Sequence, residues 1–234
     1  MFNDRLKLFF VLAAIVILGG LVMSYLVWRS SRSDSGDSQA EANLITKVEM
    51  KLTPSQRQKV EADIARYRAM VEKRDTGGEP DMMRTYLALG QAYETAGEFG
   101  EARGAYLKAS EANPKLSQPW SNLGTLYQSM GSDRLAREAL DKAVALDPTV
   151  PINWEKLIDF YQHRLRADDN AIGRLFEQSF KATADDFNLH RKYAVYLAAA
   201  GSRLDAIAQW DFIVKMNPSD VVAKTELQRL RQGK

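Results

Sequence analysis

The sequence predicts an all-α protein: an N-terminal transmembrane helix followed by a solenoid of stacked helical hairpins. Three observations predict it. Leu8 to Trp28, LFFVLAAIVILGGLVMSYLVW, carries no charged residue. From Met83 onward apolar residues recur at helical spacing, and glycines and prolines punctuate them at regular intervals. The stretch Ser117–Val150 overlays Met83–Leu116 without a gap, so the pattern has a period of 34 residues.

At about 1.5 Å per residue, a helix over the 21 residues of Leu8–Trp28 spans roughly 30 Å, the thickness of a bilayer's hydrocarbon core. Tyr25 and Trp28 stand at its end, where amphipathic rings favour the interface, and Arg5, Lys7, Arg29 and Arg32 flank it. A buried core helix rarely stays uncharged for so long. A cleaved signal peptide has a shorter apolar core and a small-residue cleavage site, which does not follow here. The expectation is an uncleaved single-pass anchor within residues 1–29. Lysine and arginine are evenly divided across the run, and the free α-amino group tips the balance toward an N-terminus inside. That orientation translocates the C-terminal domain, which in a bacterial inner membrane, the expected location, is the periplasmic side.

The same flanking cations account for the formal net charge of +2; without residues 1–33 the remainder is close to neutral. Nucleic-acid binders carry a basic face or stripe, so no nucleic-acid partner is expected. The absence of cysteine excludes disulfides, thiolate metal sites, a cysteine nucleophile and a lipid-modified cysteine.

Residues 30–40, small and polar, cannot bury enough apolar surface to fold and read as a flexible linker. Residues 41–82 read as a helical N-terminal cap. Thr53 and Gln56 form a capping-box signature with Pro54 at the first helical position, and Val60, Ile64, Tyr67 and Val71 share one helix face. TGGEP, Thr76–Pro80, joins this helix to the periodic region.

Within the overlay, Tyr86 falls on Trp120, Leu89 on Leu123, Gly90 on Gly124 and Tyr93 on Tyr127. Gly97 falls on Gly131, Ala102 on Ala136, Tyr106 on Leu140, Ala109 on Ala143 and Pro114 on Pro148. Each position has a mechanical reason. Gly90 and Gly124, with Ala102 and Ala136 facing them, let two helices approach closely. Gly97 and Gly131 suit a helix C-terminus, and the prolines end the second helix. This pattern resembles the tetratricopeptide repeat, whose fold is a solenoid of helical hairpins.

The resemblance implies four units within 83–220, at 83–116, 117–150, 151–186 and 187–220. The third keeps Trp154, Leu157 and Tyr161 but has Ile158 in place of glycine and two extra residues, assigned to His163–Asn170. The fourth keeps Gly201, Ala206 and Pro218 and puts Trp210 in the aromatic place. It departs at His190, Ala194 and Leu197. Residues 221–234 supply the helix that closes the open end of such a stack.

No phosphate-binding glycine loop, H-E-x-x-H or G-x-S-x-G occurs, and Asp168–Asp169 and Asp185–Asp186 sit at helix starts, where carboxylates cap. No catalytic, metal or cofactor site is expected, and the chain is not expected to be an enzyme. The resemblance instead implies a concave face lined by the first helix of each unit. Its open positions would be Arg84, Leu87, Ala88 and Gln91, then Gln118, Ser121, Asn122 and Thr125. The third unit adds Glu155, Lys156 and Asp159, and the fourth Asn188, Arg191 and Lys192. Asn122, Lys156 and Lys192 hold one position in successive units. Arg84, Gln91, Asn122, Lys156, Arg191 and Lys192 are therefore the candidate peptide-binding residues, toward a partner segment of some acidic character. The functional expectation is a membrane-anchored scaffold or assembly factor that binds other proteins. A narrower alternative comes from AIAQWDFIVKMNP, Ala206–Pro218, which resembles the repeat subunits of cytochrome c maturation that present apocytochrome.

Overall fold

A computed structural model of the chain describes residues 43–73 and 81–233. The expected anchor at 8–28, the linker at 30–40 and the joint at Thr76–Pro80 lie outside the described residues. Among the described residues the regular structure is helical, in ten α-helices: α1 (Pro54–Glu72), α2 (Met82–Ala96), α3 (Phe99–Ala112), α4 (Gln118–Ser129), α5 (Asp133–Leu146), α6 (Pro151–Asp159), α7 (Asp169–Ala182), α8 (Phe187–Ala199), α9 (Arg203–Met216) and α10 (Val221–Arg231). No helix among the described residues is long and apolar enough to cross a membrane.

Helices α2 to α9 pair into four antiparallel hairpins, as the period requires. In the first, Tyr106 is fully buried and its ring lies where a side chain at Gly90 would be; a Cβ there would stand 2.5 Å from Tyr106 Cε1. In the second, Leu140 does the same to Gly124, with its Cγ 2.5 Å from a Cβ placed there. Ala102, Ala109, Ala136 and Ala143 are buried beside them. Gly97, Gly131 and Gly201 take left-handed φ values of 78°, 86° and 81°, ending the first helix of units one, two and four where a Cβ would be strained.

The third hairpin absorbs its extra residues at its tip. Phe160–Arg164 widen into a π-turn, and the chain then turns through Arg166 at φ 50° before Asp168 caps α7 by accepting the Ala171 N–H at 2.8 Å. Asp186 caps α8 in the same way, accepting from Asn188 and Leu189. In the fourth unit His190 takes the aromatic position: it is buried, stacked on Phe180 with ring centroids 3.8 Å apart, and bonded at Nδ1 to Gln209 Oε1 at 2.7 Å. Trp210, Ala194, Ala206 and Ile213 form the last core, which α10 closes with Ala223, Leu227 and Leu230.

The N-terminal cap differs from expectation in its first part. Helix α1 has the capping box, with Thr53 N donating to Gln56 Oε1 at 2.9 Å, and packs on α2. Ile45–Leu52, expected to be helical, is not. This stretch lies along the hairpin tips instead: Ile45 N donates to Met130 O at 3.0 Å, Val48 N to Gly97 O at 2.8 Å, and Gly100 N back to Thr46 O at 2.8 Å. The physical reason lies at both ends of the stretch. β-Branched Ile45, Thr46 and Val48 favour extended backbone, and Pro54 holds Thr53 extended at ψ 158°.

Candidate functional site

The first helices of the hairpins, α2, α4, α6 and α8, carry the six candidate residues, and the structure distributes them over three places. Arg84 stands at the start of α2 and pairs with Asp81, whose carboxylate caps that helix. Gln91 lines a cleft of about 350 Å³ between α1 and α2, together with Gln56, Lys59 and Tyr67. Both stay exposed, Arg84 at the start of α2 and Gln91 on the side of α2 that faces α1. Two further positions expected on the open face are buried: Leu87 at 6% exposure and Ser121 at 3%. Side chains at these positions pack against neighbouring helices, a burial that the spacing within one unit does not reveal.

Asn122, Lys156 and Lys192 do line up, but each lysine reaches back one unit instead of outward. Lys156 Nζ donates to Asn122 Oδ1 at 3.3 Å and to the Ser121 carbonyl at 3.4 Å. Lys192 Nζ pairs with the Asp159 carboxylate at 2.7 Å. Arg191 reaches forward, its Nη2 at 2.7 Å from Asp220 Oδ2. The row is a ladder of inter-unit links. Burial pushes the Lys156 ammonium below its usual range, and the Glu94 carboxylate opposes that shift.

Beside the upper part of this ladder lies a groove of about 750 Å³ between α6, with the turn that follows it, and α8. Glu155, Asp159 and His163 form one wall; Asn188, Arg191, Val195, Tyr196 and Ala199 form the other. Val195 is 58% exposed. Tyr196 donates its hydroxyl to Asp169, and burial together with that bond pushes its pKa up to about 12. Arg191 Nε is buried with no partner. The α8 wall is apolar at Val195, Tyr196 and Ala199; Arg191 and Lys192 on the same helix pair with Asp220 and Asp159, and Glu155 lies on the opposite side. The repeat register placed Glu155, Asp159, Asn188, Arg191 and Lys192 in advance. It missed Val195 and Ala199, which lie one and two turns beyond Lys192 on the same helix face, where i+3 and i+7 spacing would have found them.

Asp220 ties the ladder to the end of the stack. It caps α10 by accepting the Ala223 N–H at 2.9 Å, and that bond, aided by the Arg191 guanidinium, holds its carboxyl below the usual carboxylate range. A carboxyl depressed in the folded state contributes stability above its unfolded pKa of about 4 and loses it as pH falls toward the folded value. Asp220→Ala is expected to cost about 0.5–2 kcal/mol at pH 7 through the lost cap. The gap to the unsubstituted protein should narrow near pH 3, measured by urea unfolding at both pH values.

Fold and groove together define a helical-hairpin solenoid with an open groove on its first-helix face. Residues 84–116 and 117–150 match the family model of the tetratricopeptide repeat, so the chain carries tetratricopeptide repeats there. The third and fourth hairpins continue that arrangement beyond the matched residues. Among solved structures, the chain is similar to pilF of Pseudomonas aeruginosa at 17% identity, covering 64% of this chain and 68% of that one with a TM-score of 0.50. It is also similar to the MamA protein, at 21% identity over 65% of this chain and 82% of that one, TM-score 0.49. YrrB, described as a repeat protein of this type with an unusual peptide-binding site, aligns at 17% identity over 74% and 86%, TM-score 0.48. No curated protein matches the sequence.

Proposed function

We propose that the chain is a membrane-tethered scaffold whose solenoid holds a segment of a partner protein in the groove between α6 and α8. The observation that carries this reading is the groove itself: about 750 Å³, walled by exposed Val195 with Tyr196 and Ala199, on the first-helix face of a repeat solenoid. Because Lys192 and Arg191 are committed to Asp159 and Asp220, the partner's acidic groups would have to compete with internal carboxylates. Apolar and main-chain contacts to the α8 wall dominate this reading, and an acidic partner segment is no longer favoured. The cytochrome c maturation alternative rested on Ala206–Pro218. Within it Ala206, Trp210 and Ile213 are core, so the shared feature is hairpin packing.

The tether is tested first. The chain should remain in the membrane pellet after carbonate washing, and deletion of residues 8–28 should release it. A reporter active only outside the cytoplasm, fused after Lys234, should be active; a signal only from a cytoplasm-restricted reporter would reverse the orientation. The groove is tested by Val195→Glu, which changes an exposed side chain and should alter stability by less than about 0.5 kcal/mol. Affinity for a partner purified with the intact membrane protein should fall at least about tenfold, because a charge must be desolvated against the apolar wall. Unchanged affinity in the folded variant would place the partner elsewhere.

A further inference from the structure

The tips of the first two hairpins offer main-chain groups that the solenoid itself does not use. Gly100 is the second residue of α3, so its N–H has no acceptor within the helix. The carbonyls of Gly97 and Met130 lie at the ends of α2 and α4. All three groups are bonded to the extended stretch that begins at Ile45: Gly100 N to Thr46 O, Val48 N to Gly97 O, and Ile45 N to Met130 O. Ile45 and Val48 are three residues apart, about 10 Å of extended chain at roughly 3.3 Å per residue, and they serve successive hairpins. The stepping of an extended chain therefore matches the stepping of the repeats.

Side chains contribute little to this contact. Ile45 is 49% exposed and Val48 38%, and the Lys47–Glu98 ion pair is long at 3.9 Å. Gly97 serves the turn and also the strap, because a Cβ there would collide with the Val48 carbonyl oxygen. An attachment made by main-chain bonds and little buried apolar area belongs to the low-stability end of a fold, where parts open locally before the rest.

We propose that the tips of hairpins one and two form a docking edge for extended main chain, occupied here by the protein's own residues 45–50 as a strap that detaches while the solenoid stays folded. The strap makes the chain enter the solenoid at the tip of the second hairpin. Once it is detached, the entry point moves to Thr53. That change frees eight residues, roughly 25 Å of extended chain, between the N-terminal segment and the repeats. This proposal is independent of the groove reading.

The test is amide hydrogen exchange on the full chain, read at Gly100, whose only acceptor is the strap. In the unsubstituted protein Gly100 should be protected. Ile45→Pro with Val48→Pro removes both strap donors without deleting a buried side chain, and should accelerate Gly100 exchange at least about tenfold. Ala102, Ala105 and Ala109 in the same helix should keep their protection. Gly100→Pro, placed in the first helical turn where proline is tolerated, should free the strap from the other side and expose residues 45–50 to proteolysis. A synthetic peptide of residues 43–52 at a few millimolar, the effective concentration a short tether supplies, should restore Gly100 protection in the Ile45→Pro, Val48→Pro chain. Gly100 unprotected in the unsubstituted protein, loss of protection spreading through α3, or no restoration by the peptide would each overturn the proposal.

Discussion

Trp210→Ala should cost about 3–5 kcal/mol, the range for truncating a buried tryptophan, and the loss should fall on one end of the molecule. Trp210 is 2% exposed and joins α9 to α8 and α10 through a core of Ala194, Ala206, Ile213, Ala223 and Leu227. Three of those neighbours are alanines, too small to spread into the space left behind, so the cavity should persist. In a stack of repeats each hairpin contacts only its neighbours, and the damage is not shared by the whole chain. The expected result in urea is an early transition of α8–α10, followed by a later one that still protects the amides of α2–α5. Leu204→Ala is the control: the side chain is 80% exposed on the same helix and should change stability by less than about 0.5 kcal/mol. One cooperative transition, shifted by less than about 1 kcal/mol, would contradict this expectation.

What the sequence made legible is what repeats. Gly90 and Gly124, Tyr106 and Leu140, and Gly97 and Gly131 announced their contacts by recurring at 34 residues, and the structure places each where the period put it. A second recurrence went unread at the same spacing: Lys108 lies over the Tyr86 ring and Lys142 over Trp120, a cation held on the same aromatic position in both units. Contacts that do not recur were not legible. Even a recurring burial escaped where the residue types differ: Leu87 and Ser121, 34 residues apart, are both hidden. The strap is held through main-chain atoms, which every sequence has, so no side-chain pattern marks it. The candidate site fell between these cases. The register found the positions of Lys156, Arg191 and Lys192, but whether a cation on that face binds a guest or its own neighbour depends on Asn122, Asp159 and Asp220, roughly one unit away.

Gly90→Ala should be the more costly of two substitutions that look equivalent in sequence, and the difference isolates what the partner side chain can give. A methyl at either glycine adds helix propensity worth about 1 kcal/mol, so any net loss comes from collision. At Gly124 the new Cβ meets Leu140 Cδ2 and Cγ at 2.5 Å, part of a branched aliphatic side chain that can shift its rotamer. At Gly90 it meets Cε1, Cδ1 and Cζ of Tyr106 at 2.5, 2.6 and 3.0 Å. These are atoms of one rigid ring, fully buried and anchored by its hydroxyl, which donates to Glu94 Oε2 at 2.7 Å. The ring cannot move without lengthening that bond or displacing α3. Overpacking of this kind costs about 1–3 kcal/mol, and Gly90→Ala should lie near a net loss of about 2 kcal/mol, with Gly124→Ala at about 1 kcal/mol or less. In a Tyr106→Ala background, itself destabilised by several kcal/mol, the collision is gone and only propensity remains. Gly90→Ala should then be neutral or stabilising by up to about 1 kcal/mol, a coupling of about 2–3 kcal/mol across the cycle. Urea unfolding of the four proteins measures it; the same cost for Gly90→Ala with and without the Tyr106 ring would show that the glycine is needed for some reason other than close approach.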